Sequence, residues 1–185
     1  MDLFSREELG VFLRAVDRHL HEPFSLLIIG GTAAALAVAV PSYTKDIDVM
    51  GNVTALEEAC RAARLETGLN IPLGPVGVED HPENMMERLL LVEISGLTHL
   101  IIHVPERHDL VLMKMMRGQQ NDVDTALEIH GYQPLLFEEL CGRFKNEMGH
   151  VHGDPGRIRD NFAALIESLY GEAAVRRALA AVKKS

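Results

Sequence analysis

Residues Leu26 to Met50 read LLIIGGTAAALAVAVPSYTKDIDVM, and this stretch decides the fold. An apolar run, Phe24 to Ile29, has the character of a buried strand. Gly30-Gly31 breaks it. Thr32 to Val40 is rich in Ala and Leu and predicts a helix, which Pro41 stops. Lys45 to Met50 then reads as a second strand. Its period of two puts Asp46 and Asp48 on one face and Ile47 and Val49 on the other.

That order carries chemistry. A glycine pair after a strand lets the backbone approach a ligand closely, because no Cβ stands in the way. The helix start that follows offers free N–H groups and a positive dipole end, which suits phosphate. Two carboxylates side by side repel unless a cation sits between them. Mg²⁺ is the natural cation, since it takes carboxylate oxygens together with substrate phosphates. A carboxylate pair on a strand beside a phosphate-binding turn is a recipe for metal-assisted phosphoryl transfer.

Outward from this stretch, Ser5 and Glu8 form a capping box. The helix they open puts Leu9, Phe12, Leu13, Val16 and Leu20 on one face and ends at Pro23. Val53 to Glu66 reads as a helix with Thr54 as N-cap. Gly68 to Pro82 reads as a loop holding at most a short strand. Arg88–Ile94 and Thr98–Val104 read as two strands joined through Ser95-Gly96-Leu97. After Pro105 the character changes. Residues 106–118, 123–130, 134–146, 155–170 and 172–184 all read as helices. The expected fold class is α/β (α+β): a small mixed sheet flanked by helices over 1–118, then a helical part over 119–185.

Composition bounds the function. The chain has 185 residues, 47% hydrophobic and 24% charged, enough for a core without staples. Acidic residues outnumber basic ones 27 to 18, for a net charge of −9. This argues against nonspecific coating of nucleic acid, which rests on a basic surface. Aromatics at 5%, with no Trp, argue against a base-stacking platform. Cys60 and Cys141 match no metal-ligand spacing and read as reduced, buried thiols of a cytoplasmic protein. The charged start, Met1-Asp2-Leu3-Phe4, is not that of a signal peptide. The longest apolar stretch, Leu26–Val40, falls short of the roughly 20 residues a membrane span needs. His150-Val151-His152 with Asp154 reads as a Gly-flanked loop, since no further ligand cluster accompanies it. Arg176-Arg177 and Lys183-Lys184 make the last helix basic: a solvated face, or a local contact for RNA or a partner. Met113, Met115 and Met116 read as core filler.

Gly30-Gly31-Thr32-Ala33 followed by Thr44-x-Asp46-Ile47-Asp48 resembles the signature of the polymerase-β-like nucleotidyltransferase superfamily. Asp109-Leu110-x3-Lys114, Arg117 and Asp122-x-Asp124 resemble the downstream block of its small bacterial members, the abortive-infection and toxin–antitoxin-type enzymes. The resemblance spans roughly residues 24–130. It implies a Mg²⁺-dependent enzyme that moves a nucleoside monophosphate from a nucleoside triphosphate to an acceptor hydroxyl on RNA, protein or a small molecule. Asp46 and Asp48 would hold the metal. Gly30, Gly31, Thr32 and Thr44 would serve the nucleotide, with Thr32 standing in for the Ser that many members carry where this chain has Gly31. Lys114 would meet phosphate, with Asp122 and Asp124 in support, and Arg88 fits the pattern loosely. A third catalytic carboxylate is expected on a later strand: Glu93 is the candidate and His103 its rival. Two other functions stand beside this one. A degenerate member would bind nucleotide or a partner without catalysis, and a toxin–antitoxin component would act through a partner protein.

Overall fold

The computed structural model describes residues 2–38, 43–77 and 80–182. The end of the helix expected up to Val40, its stop at Pro41, and Lys183-Lys184 lie outside the described residues. The chain divides into two units, Met1–Val78 with Leu89–Pro105 and Glu79–Arg88 with Glu106–Ser185. The division therefore falls after Pro105, where the sequence reading places it after residue 118. The reason is one helix, α4 (Arg107–Met115), whose buried Asp109 is bound to Arg88 and Arg143 of the helical unit.

The first unit contains α1 (Arg6–Arg18), β1 (Phe24–Ile28), α2 (Gly30–Ala37), β2 (Ile47–Met50), α3 (Glu57–Thr67), β3 (Leu73–Pro75), β4 (Leu90–Val92) and β5 (Leu100–Val104). The strands form one mixed sheet in the order β3-β2-β1-β5-β4. β1 runs antiparallel to β2 and parallel to β5, and β5 runs antiparallel to β4. Leu26, Ile28, Ile47, Val49, Leu100, Ile102 and Val104 are buried on one face, where α1 contributes Leu9, Phe12, Leu13 and Val16. The opposite face carries Ser25, Leu27, Asp48, Met50, Ile101 and His103, all half-buried or exposed.

Local chemistry explains these boundaries. The capping box forms as expected, with Ser5 and Glu8 satisfying each other's backbone N–H. Thr54 is not the N-cap of the next helix. Its N–H is itself capped by Asn52 Oδ1 at 2.8 Å, and a single 3₁₀ turn, Thr54–Leu56, precedes α3. The Asp17 carboxylate, 1% exposed on α1, accepts from the backbone N–H groups of Thr98, His99 and Leu100 at 2.6–3.1 Å. Burial alone would raise this carboxyl, but those three N–H donors hold it below its ordinary value. Asp17 thereby fixes the entry to β5.

The second unit is helical: a 3₁₀ turn (Met85–Arg88), α4, α5 (Gln120–Tyr132), α6 (Phe137–Glu147), α7 (Pro155–Tyr170) and α8 (Glu172–Ala181). A chain of ion pairs runs through it. Asp109, fully buried, accepts from Arg88 at 2.9 and 3.0 Å and from Arg143 at 2.7 Å. Arg88 reaches on to Glu147, and Arg143 to Glu106 and Glu139. His108 Nε2 accepts the Leu136 N–H at 2.8 Å, so its proton lies on Nδ1, which donates to Glu106. Cys60 and Cys141 are free and buried, and burial pushes the Cys141 thiol up to about 11. No helix among the described residues is long and apolar enough to cross a membrane.

Candidate functional site

The site forms where β1 ends, α2 begins and β2 passes alongside. The sequence reading starts the helix at Thr32, but Gly30 and Gly31 are already its first turn. Gly30 has φ +69°, the left-handed region that side chains avoid. A Cβ on Gly30 would lie 2.7 Å from Asp48 Oδ2, and one on Gly31 would lie 3.3 Å from Thr44 Oγ1. The glycine pair lets the start of α2 sit directly against β2. The cap residue of α2 is Ile29, whose side chain offers no acceptor to the first-turn N–H groups.

Two hydroxyls fix the approach to β2. Thr32 Oγ1 donates to the Asp46 carbonyl at 2.6 Å, and Thr44 Oγ1 donates to the same oxygen at 3.1 Å. Both threonines are buried, at 1% and 7% exposure. Thr32 thus positions Asp46, where the resemblance gives it a phosphate. Asp46 and Asp48 are half-buried, and Ile47 and Val49 between and beyond them are in the core, as the alternation requires. Asp48 pairs across the strands with Gly74 of β3. A Cβ on Gly74 would meet nothing within 4 Å among the described residues.

The third acid does not join this pair. Glu93 is exposed, one residue beyond β4, and lines a cleft with Arg6, Gly10, Arg14 and Leu36. His103 lies on the same sheet face as Asp48 and stands 3.2 Å from Ser25 Oγ through its Nδ1. Leu27 pairs with both Met50 and His103, so His103 is two strands and two residues from Asp48. Strand geometry makes that about 12 Å between Cα atoms. Among the described residues, no three His, Cys, Asp or Glu side chains are placed to hold one metal ion. Two carboxylates suffice for Mg²⁺, which keeps waters and substrate phosphates as its other ligands. Asp46 and Asp48 fit that role.

The downstream residues all belong to the helical unit. Lys114 and Asp122 are buried, at 6% and 4% exposure, and pair at 3.2 Å. Arg117 also binds Asp122, through Nε at 3.1 Å and Nη2 at 2.5 Å. Asp124 is exposed and accepts from Gln120 at 2.9 Å. Asp109 and Arg88 belong to the ion-pair chain. Burial would raise Glu106 there, but hydrogen bonds from His108 and the Arg143 charge hold it at about 2. The links that join Asp109 to Arg88 and Arg143, and Arg88 to Glu147, span 21 to 59 residues and follow no local pattern that a sequence shows.

No curated protein and no solved structure matches the chain. The model of one family, described as nucleotidyltransferase of unknown function (DUF6036), matches residues 8–149. That span is more than half of the chain and takes in Gly30-Gly31, Asp46, Asp48 and the downstream residues, and the chain belongs to this nucleotidyltransferase family.

Proposed function

We propose that the protein is a Mg²⁺-dependent nucleotidyltransferase whose metal is held by Asp46 and Asp48. The observation that carries this reading is the contact of the α2 start with β2: the left-handed Gly30 packs against Asp48, so first-turn N–H groups and a carboxylate adjoin. The triphosphate lies at the α2 N-terminus, where N–H groups and the helix dipole favour anions. Thr32 and Thr44 hold the Asp46 backbone and so set the carboxylate pair. Bound Mg²⁺ supplies charge neutralisation at the phosphates. The acceptor oxygen attacks the α-phosphorus, a new P–O bond forms, and the bond to the β-phosphate oxygen breaks to release pyrophosphate. The acceptor proton goes to a base. His103 shares the face of Asp48 and is better placed for this than Glu93, which lines the cleft with Arg6 and Arg14.

The test uses α-labelled nucleoside triphosphates with Mg²⁺ and three acceptor pools: RNA, protein and small hydroxyl compounds. Label transfer is expected with at least one, falling at least a hundredfold in Asp46→Asn and Asp48→Asn. Transfer that survives in those variants refutes the assignment. A second reading follows from the lack of a third metal-directed group among the described residues. In it, the protein binds nucleotide without turnover, as a regulator or the partner of a toxin. Calorimetry separates the two: metal-dependent binding with no transfer to any pool favours the second.

A further inference from the structure

The helical unit holds a pocket of about 440 Å³ that the nucleotidyltransferase reading does not use. Phe144 of α6, Met148 at its C-cap, Val151 of the following loop, Ile158 of α7 and Leu179 of α8 form its walls. Among the described residues its charged lining is Lys145 and Arg159, with no acid. The volume lies in the range of small-molecule sites, which are mostly apolar with a few polar groups that fix orientation.

The pocket is supported by the motif that the sequence reading left as a loop. His152 binds Asp80 Oδ1 at 3.0 Å through both its backbone N–H and Nδ1, and the His150 ring packs edge-on against His81 at 6.2 Å. The two histidines thus pin the loop on either side of Val151. Asp154 then caps α7 by accepting from the Arg157 N–H at 2.8 Å. Gly153 has φ +121°, and a Cβ there would stand 3.7 Å from Ile158 Cδ1. Behind the wall, Phe144 stacks on the fully buried Phe162 with ring centroids 3.9 Å apart.

We propose that this pocket binds a small organic anion, a carboxylate with an apolar body. The apolar walls take the body, and Lys145 and Arg159 take the charge. Cations without an accompanying acid reject the corresponding amine and favour the acid over the alcohol. This inference is independent of the nucleotide reading.

Decanoate tests it, with decanol as the uncharged control, by calorimetry on the full chain. Decanoate is expected to bind saturably with Kd below about 1 mM, and decanol at least tenfold more weakly. The exposed pair of changes Lys145→Glu and Arg159→Glu is expected to weaken decanoate at least tenfold with an unchanged melting temperature. Leu179→Trp, which fills the pocket, is expected to do the same. Should that variant fail to fold, the charge-reversed protein decides. The proposal is overturned if decanoate does not saturate, if decanol binds equally, or if the folded charge-reversed protein loses less than tenfold.

Discussion

Gly30→Ala is the sharpest probe of the site. Two costs add. The residue sits at φ +69°, and a left-handed conformation costs a side-chain-bearing residue about 1–2 kcal/mol. The new methyl would also lie 2.7 Å from Asp48 Oδ2, so that the carboxylate or the helix start must shift. Overpacking of this kind costs about 1–3 kcal/mol. Together the variant should lose about 2–5 kcal/mol. Gly31→Ala is the matched control. Its methyl meets only Thr44 Oγ1 at 3.3 Å, which a few tenths of an ångström relieves. Alanine's higher helix propensity, up to about 1 kcal/mol, offsets that contact. Urea unfolding followed by circular dichroism measures the stabilities. Calorimetry with Mg²⁺ and the tightest-binding nucleoside triphosphate measures the site, where Gly30→Ala should lose at least tenfold in affinity because Asp48 has moved. The reasoning fails if Gly30→Ala lies within about 1 kcal/mol of wild type with unchanged affinity, or if Gly31→Ala is the more damaging of the two.

Three further outcomes are expected. Glu106 is held at about 2 against an ordinary value of 4.5, so it contributes stability that is complete above pH 4.5 and is lost as pH falls toward 2. That gap is worth about 3 kcal/mol, and Glu106→Gln should flatten the acid dependence of the urea midpoint; an unchanged slope refutes the assignment. Gly74→Asp places a third carboxylate across from Asp48, where a Cβ meets nothing among the described residues, and should raise Mg²⁺ affinity at least tenfold by calorimetry. Lys114→Met removes one of two cations from Asp122 and should cost about 1–3 kcal/mol while leaving metal-dependent nucleotide affinity within twofold. A collapse of affinity at unchanged stability would instead give Lys114 the phosphate role that the resemblance implies.

The parts of the fold that were legible are those set by local pattern. The strand, glycine pair, helix and alternating strand over Phe24–Met50 needed only periodicity and two breakers. The helix over Pro155–Tyr170 has its start in the Asp-Pro cap and its stop at Gly171. What escaped was set by distant partners. Thr32 carries a hydroxyl at a helix start, and nothing local says whether it faces phosphate or the Asp46 carbonyl 14 residues away. Glu93 lies at the alternating position of a strand that ends one residue too early, and its surroundings come from α1 and α2. Asp109 and Lys114 read as part of a continuous motif with the nucleotide turn, yet their hydrogen bonds tie them to Arg88, Arg143 and Asp122.

Those ties bear on where positive charge for a triphosphate comes from. Arg88 is divided between Asp109 and Glu147, Arg143 among Asp109, Glu106 and Glu139, and both Lys114 and Arg117 are turned toward Asp122. The partners Asp109 and Asp122 are 0% and 4% exposed, and a buried carboxylate stripped of its cation costs several kcal/mol. Drawing any of these cations to a phosphate would therefore oppose the fold of the helical unit. Lys114 is the least costly to draw away, since Arg117 alone still makes two hydrogen bonds to Asp122. In the first unit, by contrast, Asp48 brings a carboxylate to the start of α2, where the proposed function seats the triphosphate. On the proposed reading, a triphosphate and two carboxylates share that space only with a counter-charge, so nucleotide binding is expected to be coupled to the metal. The −9 balance of the chain is then no obstacle to a phosphate ligand. On that reading the divalent cation is the condition of binding, which nucleotide calorimetry with and without Mg²⁺ checks.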